Sequence, residues 1–471
     1  MDQVAAGVDP EQLLRATWDA ELAAWRAPAE RLSELRGRLS ANAVRFTDEL
    51  RPPALEATWR LPELRWYQRE AVMGWRDSGD RGVIVLPTGA GKTVVALAAI
   101  AELGVATLVL VPTRVLLDQW ARALEAAWPH PIGRLGDSDH SVAPITIATY
   151  ASATTWAPRV GDRFGLVVVD EAHHVGAWCP SEVLEMLIAP ARLGLTATPP
   201  GAPTEWSLAR HIGPTVYALG IDALRGNALA DFDHALVAVE LDREERSLYR
   251  RLRSEFSAFY AQQQRSLPGM AWRDFLGAAQ RSLAGRDALA AWRASRALLA
   301  YPQAKRAALR ELLTKHTGDR TLIFTADNAT AYAIARELLV VPITCDIGRA
   351  ERTQMLDRFR AGDSSVLVSS QVLDEGFDVP DAEVAIVVGG TSSQRRHAQR
   401  IGRVLRPGPG KRASVYELAV ADSAELRQVT GRRGVMRAPH KVGAVSIPPV
   451  GAGPPGSISG RRPLEVKGAW S

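Results

Sequence analysis

Two cysteines in 471 residues, Cys179 and Cys345, are too few and too far apart for a disulfide framework or a metal-spacing cluster. A reduced, cytoplasmic setting is the expectation. No run of about 18 apolar residues occurs, which argues against a transmembrane helix and a membrane partner. The opening Met1-Asp-Gln-Val-Ala-Ala-Gly lacks the basic start and apolar core of a secretion signal. Nor is the charge strongly one-sided. A net +5 and a pI near 9.3 permit a polyanionic partner without requiring one. With 46% apolar and 23% charged residues, the rest is ordinary folded protein, long enough for two or three domains.

The chain is organised around Leu86-Pro-Thr-Gly-Ala-Gly-Lys-Thr93. The apolar run 82–87 before it reads as a buried parallel strand, and the Ala-rich run 94–101 after it as a helix. A strand, a glycine loop and a helix form a phosphate cradle. Gly89 and Gly91 let backbone N–H groups turn toward phosphate oxygens at the positive end of the helix, with Thr88 and Ala90 completing the loop. Lys92 brings a cation to the outer phosphates of ATP, and the Thr93 hydroxyl suits Mg²⁺. Where the general pattern has a first Gly, this chain has Leu86, and Pro87-Thr88-Gly89 takes its place. About twenty residues earlier, the Gln68 amide could read an adenine edge through paired hydrogen bonds.

Around this loop the chain alternates. Residues 1–60 read as helical, with Leu14, Trp18, Leu22 and Trp25 on one face and Leu32, Leu35 and Leu39 on another after Pro28, a packing pair of helices. Strands at 106–112, 145–150, 165–171 and 192–198, with a helix from 113, predict a mostly parallel sheet covered on both faces. Every polar motif then falls at the C-terminal end of a strand, where ligands of such sheets bind. Residues 236–300 break the pattern. After a strand at 234–241 come helices rich in Arg, Gln and aromatics, among them Tyr249, Arg250, Arg253, Phe256, Phe259 and Tyr260. These aromatics either pack on a core or serve a nucleic-acid-contacting arm. A second alternating unit has strands at 320–326, 341–345, 365–370, 384–388 and 413–418 and no Gly-Lys-Thr loop. The expected division is a helical segment at 1–60, an ATP-binding domain at 61–235, a helical insertion at 236–300, a second α/β domain at 301–428 and a basic, disordered Gly/Pro-rich tail at 429–471.

A carboxylate at the tip of a buried strand beside a phosphate loop can hold Mg²⁺ through its water shell; Asp170 in Asp170-Glu-Ala-His173 is placed to do so. Glu171 is next in line to orient and deprotonate the attacking water. His173 could hydrogen-bond across to the second sheet and sense the γ-phosphate, and the hydroxyls of Thr196-Ala-Thr198 could relay between the Asp-Glu-Ala-His segment and bound nucleic acid. In the second unit, Gly376 permits a tight turn, Asp378 could touch a ribose or an incoming Arg, and Ser370 could donate to a nucleic-acid phosphate. Arg400, Arg403 and Arg406 recur at a helical spacing of three, a row of guanidinium groups suited to phosphates.

Taken in order, the phosphate loop, Asp170-Glu-Ala-His173, Thr196-Ala-Thr198, Asp374-Glu-Gly-Phe-Asp378 and Gln399-Arg-Ile-Gly-Arg-Val-Leu-Arg406 resemble superfamily 2 helicases over residues 61–420. Residues 369–381 and 399–407 look like the XPB branch of archaea and bacteria, whose members carry a thumb-like insertion where this chain has its helical stretch near 245–285. The resemblance implies two RecA-like domains with ATP·Mg²⁺ between them, DNA across both, and 3′-to-5′ motion. It makes Gln68 the adenine reader and gives Lys92, Thr93, Asp170 and Glu171 the phosphate, metal and base work. Arg403 and Arg406 become arginine fingers with Gln399 near the γ-phosphate, and Thr113, Arg114 and Ser370 touch the DNA backbone, single-stranded or forked. Where that branch has Arg-Glu-Asp after Thr-Ala-Thr, this chain has Pro199-Pro-Gly-Ala-Pro203. An RNA helicase with the same engine, or a motor subunit of a repair or defence assembly that does not unwind, are the rival readings. No nuclease cluster is present, so cleavage would need a nuclease or repair partner.

Overall fold

The computed structural model describes residues 16–21, 23–45, 47, 52–136, 139–177, 179–198, 204–225, 230–370, 382–389 and 412–433. The chain forms two compact units, one ending at Leu224 and the other starting at Arg225. Gly376, Asp378, Gln399, Arg400, Arg403, Arg406, the proline stretch 199–203 and most of the basic tail lie outside the described residues.

The first unit opens on a small antiparallel pair, β1 (Thr17–Asp19) and β2 (Ala24–Arg26). This corrects the helix expected there. Trp18 and Trp25 are seven apart, a spacing that fits one helix face, but they face each other across the strands with ring centroids 5.4 Å apart. Ala23, at φ +50°, makes the turn between them. The second expected helix is present as Leu32–Ala41. Glu30 ties this segment to the unit, accepting from or pairing with His211 at 2.9 Å and lying 3.8 Å from the buried Arg192.

The main sheet comprises β3 (Arg81–Val85), β4 (Thr107–Val111), β5 (Gly133–Gly136), β6 (Asp139–Ser141), β7 (Ile145–Thr149), β8 (Leu166–Asp170), β9 (Ala191–Thr196) and β10 (Thr215–Ala218). Its order is β10-β3-β9-β8-β4-β7-β5-β6, parallel except for the β5–β6 edge. β4, β7, β8 and β9 are buried along their whole length, as expected of strands covered on both faces.

The second unit holds a parallel sheet of β11 (Asp231–Val239), β12 (Thr321–Phe324), β13 (Pro342–Ile343), β14 (Val366–Ser369), β15 (Val384–Val387) and β16 (Arg412–Val420), in the order β11-β16-β15-β12-β14-β13. The strand placed by the sequence reading at the start of the helical insertion is therefore an edge strand of this sheet, paired with β16 over nine residues. Its His234 shares a 2.7 Å hydrogen bond with the buried Glu417 of β16. The insertion itself is three helices, Arg243–Ser266, Trp272–Gln280 and Leu283–Ala300. Asp242 and Glu245 form a capping box at the start of the first. Phe256, Phe275, Ala279 and Leu289 make a core of their own, joined by Phe259, Tyr260 and Trp292, so the aromatics pack on one another. Among the described residues, no helix is long and apolar enough to cross a membrane.

Candidate nucleotide site

The phosphate loop leaves the end of β3 and enters the helix Lys92–Leu103. Its first N–H, from Leu86, donates to the Thr196 carbonyl at 3.0 Å, and Ala90 N–H closes a turn on the Pro87 carbonyl at 3.2 Å. Gly89 and Gly91 sit at φ +86° and +79°, where a Cβ is strained. The Lys92 amine donates to the Leu86 carbonyl at 3.3 Å. Thr88, Lys92 and Thr93 are half-buried around the loop, and Ala90 is buried.

Two side chains from the preceding helix, Trp66–Asp77, brace the loop. The Tyr67 hydroxyl and the Gln68 amide nitrogen both donate to the Ala90 carbonyl, at 2.8 and 3.0 Å. The Gln68 oxygen accepts the Arg65 N–H at 3.0 Å. Gln68 is thus buried with its amide engaged on the loop and on its own helix cap, and the same nitrogen also lies 3.5 Å from the Gly91 carbonyl.

The acids arrive on β8, one strand removed from β3, with β9 between them. Asp170 is buried. One carboxylate oxygen accepts the Trp120 indole N–H at 2.8 Å, and the other accepts the Glu171 backbone N–H at 2.9 Å. Burial pushes its carboxyl above the usual range, while the Trp120 bond, the Lys92 charge and the Glu171 N–H pull it back down. Glu171 itself is in the left-handed region at φ +49°, a strained conformation for a side-chain-bearing residue. The Tyr150 hydroxyl donates to the Asp170 carbonyl and lies 3.4 Å from that of Glu171. His173 shares a 3.0 Å hydrogen bond with the Thr196 hydroxyl and lies 3.4 Å from the Glu171 carboxylate. Thr196 in turn donates to the Thr198 carbonyl at 3.1 Å. The sheet therefore brings together Gln68, the loop 88–93, Asp170, Glu171, His173, Thr196 and Thr198.

The residues assigned to nucleic acid are not part of the loop or of the acidic strand end. Thr113 caps the helix Arg114–Ala127, its hydroxyl accepting the Leu116 N–H at 3.3 Å, and Arg114 is exposed at the helix start. Ser370 follows β14 in the second unit; it is buried, and its hydroxyl donates to the Asn328 side-chain Oδ1 at 2.6 Å. Three contributors escaped the sequence reading. Tyr67 could have been found as the neighbour of Gln68. Trp120 and Tyr150 reach Asp170 across 50 and 20 residues of chain, and only the strand order makes them neighbours.

Residues 61–201 match the family described as the type III restriction enzyme res subunit, and residues 304–408 match the helicase conserved C-terminal domain. The chain is 36% identical over 378 residues to the DNA 3′-5′ translocase XPB2 of Sulfurisphaera tokodaii, covering 79% of this chain and 84% of that protein. It is 30% identical over 391 residues to the DNA 3′-5′ helicase XPB of Mycobacterium tuberculosis, covering 79% of this chain and 60% of that one. Against the putative DNA 3′-5′ helicase Rad25 of Halobacterium salinarum it is 33% identical and spans about half the length, 52%. Two solved structures share the two-domain RecA-like fold. They are the Pyrococcus furiosus Hef helicase domain, with a TM-score of 0.53, 20% identity and coverage of 79% of this chain and 98% of that one, and S. cerevisiae Dbp5, with a TM-score of 0.55, 16% identity and coverage of 89% and 94%. A phosphate loop and an acidic strand end in one sheet, both helicase domains in sequence, and this identity over most of the chain together place it in the XPB family of superfamily 2 helicases.

Proposed function

We propose that the chain is an ATP-driven motor that translocates 3′-to-5′ on DNA and separates its strands, with Mg²⁺ accompanying the nucleotide. One observation carries this reading. The phosphate loop, Thr196 and Asp170-Glu171 terminate three neighbouring strands of one sheet. The residues suit ATP·Mg²⁺: two glycines at positive φ in the loop, a half-buried Lys and Thr at the helix start, and a buried carboxylate whose two oxygens each retain acceptor capacity. Bound Mg²⁺ would neutralise charge on the β- and γ-phosphates. Thr93 and the water shell held by Asp170 are the residues for that ion. Lys92 takes the outer phosphates, and Glu171 orients the attacking water and accepts its proton. Gln68 aligns the loop through Ala90 and is the candidate adenine reader. Gln399, Arg403 and Arg406, and the turn of Gly376 and Asp378, are assigned to the same nucleotide by motif. His173, Thr196 and Thr198 couple the acids to movement.

DNA contacts fall to Thr113, Arg114 and Ser370 and address phosphates, so binding weakens with salt and shows little sequence preference. The sequence Pro199-Pro-Gly-Ala-Pro203, standing where relatives of this branch have Arg-Glu-Asp, favours a second reading: a translocase that drives a repair assembly without itself unwinding. Stimulation of ATPase by single-stranded, forked and duplex DNA and by RNA tests the first reading. Preference for RNA would overturn it. Strand displacement on a fork then separates the two.

A further inference from the structure

We propose that Trp120 is a positioning residue for Asp170, its indole N–H fixing the carboxylate in the one arrangement that receives the hydrated metal. The inference rests on the reading of Asp170 as the metal-side acid. It deepens that reading by adding a residue to which the sequence analysis gave no role.

A buried indole N–H needs an acceptor, and backbone carbonyls are the common choice. Trp75 in the same unit follows that habit: it is fully buried and donates to the Arg192 carbonyl at 2.9 Å. Trp120 is buried to the same degree, yet donates at 2.8 Å to a carboxylate. A hydrogen bond to an ionised acceptor is shorter and stronger than one between neutral groups. Asp170 has two oxygens and two protein donors, Trp120 on one and the Glu171 N–H on the other. With both engaged, rotation of the carboxylate breaks at least one bond. The backbone is held as well, because the Tyr150 hydroxyl donates to the Asp170 carbonyl just ahead of the strained Glu171. Two aromatic donors, one on the side chain and one on the main chain, therefore fix the geometry of the acid pair.

The test compares Trp120→Phe, Trp75→Phe and Asp170→Asn with the parent protein. The binding of a fluorescent ATP analogue is measured across a Mg²⁺ titration, along with the thermal midpoint without nucleotide. Each Trp→Phe removes one buried indole N–H bond from the same unit, so both lower the thermal midpoint. Asp170→Asn raises the Mg²⁺ concentration needed for half-maximal binding. Trp120→Phe raises it about 10-fold, the scale set by losing a partner that orients a metal-side ligand. Trp75→Phe leaves it within about twofold of the parent. A half-maximal Mg²⁺ concentration that stays at the parent value in Trp120→Phe while it moves in Asp170→Asn would overturn the positioning role alone. If Asp170→Asn also stays, the metal-side reading falls and takes this proposal with it. If Trp120→Phe does not fold, benzothienylalanine at the same position keeps the ring shape and replaces only the N–H, with the same expected and overturning outcomes.

Discussion

Gly91→Ala tests whether the Gln68 brace and the phosphate loop act as one unit. Gly91 is at φ +79°, and a residue with a Cβ pays roughly 1–2 kcal/mol for a left-handed conformation. A Cβ built at Gly91 would also stand 2.5 Å from the Gln68 amide nitrogen, closer than real contacts allow. Gln68 is a flexible side chain and could swing away. Doing so forfeits its 3.0 Å bond to the Ala90 carbonyl and endangers the one its oxygen accepts from Arg65 N–H. At about 1 kcal/mol each, these add about 1–2 kcal/mol. The single variant should therefore lose about 2–4 kcal/mol in urea denaturation. In a Gln68→Ala background the obstruction is gone and only the dihedral cost remains, so the same substitution should lose about 1–2 kcal/mol. The double-mutant cycle then yields a coupling of about 1–2 kcal/mol between two residues 23 apart in sequence, the signature of a direct contact. Equal costs in the two backgrounds, within about 0.5 kcal/mol, would refute the reasoning.

Glu171→Gln should retain ATP binding and lose about 10²–10⁴ in turnover, whereas Lys92→Ala should lose both, as filter binding and steady-state ATPase assays will read. Arg403→Ala should cut kcat by about 10³–10⁵ with little change in ATP affinity; normal turnover would reject its finger role. In the second unit the buried Lys305 amine donates to the Val388 carbonyl at 2.6 Å and to Glu425 at 2.7 Å. Lys305→Ala removes the cation from that carboxylate, whose other oxygen still accepts the Val420 N–H at 3.0 Å, and should cost about 3 kcal/mol in denaturation, while Lys305→Met with Glu425→Leu should recover most of it. Burial pushes the Cys179 thiol up to about 12, so at pH 8 the native protein should take up one equivalent of iodoacetamide, at the exposed Cys345, and the urea-unfolded chain two.

The parts of the fold that were legible in sequence are those set by local chemistry. Apolar runs of five or six residues, too short for buried helices and each followed by a polar motif, became β3, β4, β7, β8 and β9 within a residue or two of their expected limits. The N-terminal hairpin was not legible, because a spacing of seven suits a helix face as well as two strands folded about a turn, and only tertiary packing chooses between them. β11 was recognised as a strand but not as part of the second sheet, since a parallel partner such as β16 lies some 180 residues away and leaves no local mark; Asp231 pairs with Arg412. The candidate site divides the same way. Glycine, lysine and paired acids announce themselves by type and spacing. Trp120 and Tyr150 read as core aromatics, and their polar atoms gain meaning only once β4, β7 and β8 lie side by side.

That order also explains why Thr196 stands where it does. Strands two places apart in a sheet are separated by about 10 Å, too far for their backbones to bond. β3 and β8 are such a pair, and β9 fills the interval. The last residue of β9 is Thr196, whose carbonyl accepts the first N–H of the phosphate loop and whose hydroxyl meets His173, three residues beyond Asp170. A small side chain with no hydroxyl would leave His173 without its 3.0 Å partner. Threonine supplies that hydroxyl, its backbone holding the loop while its side chain holds His173, which lies 3.4 Å from the Glu171 carboxylate. Loop and acids are thus linked through one residue, the loop by its backbone and the acids by way of His173.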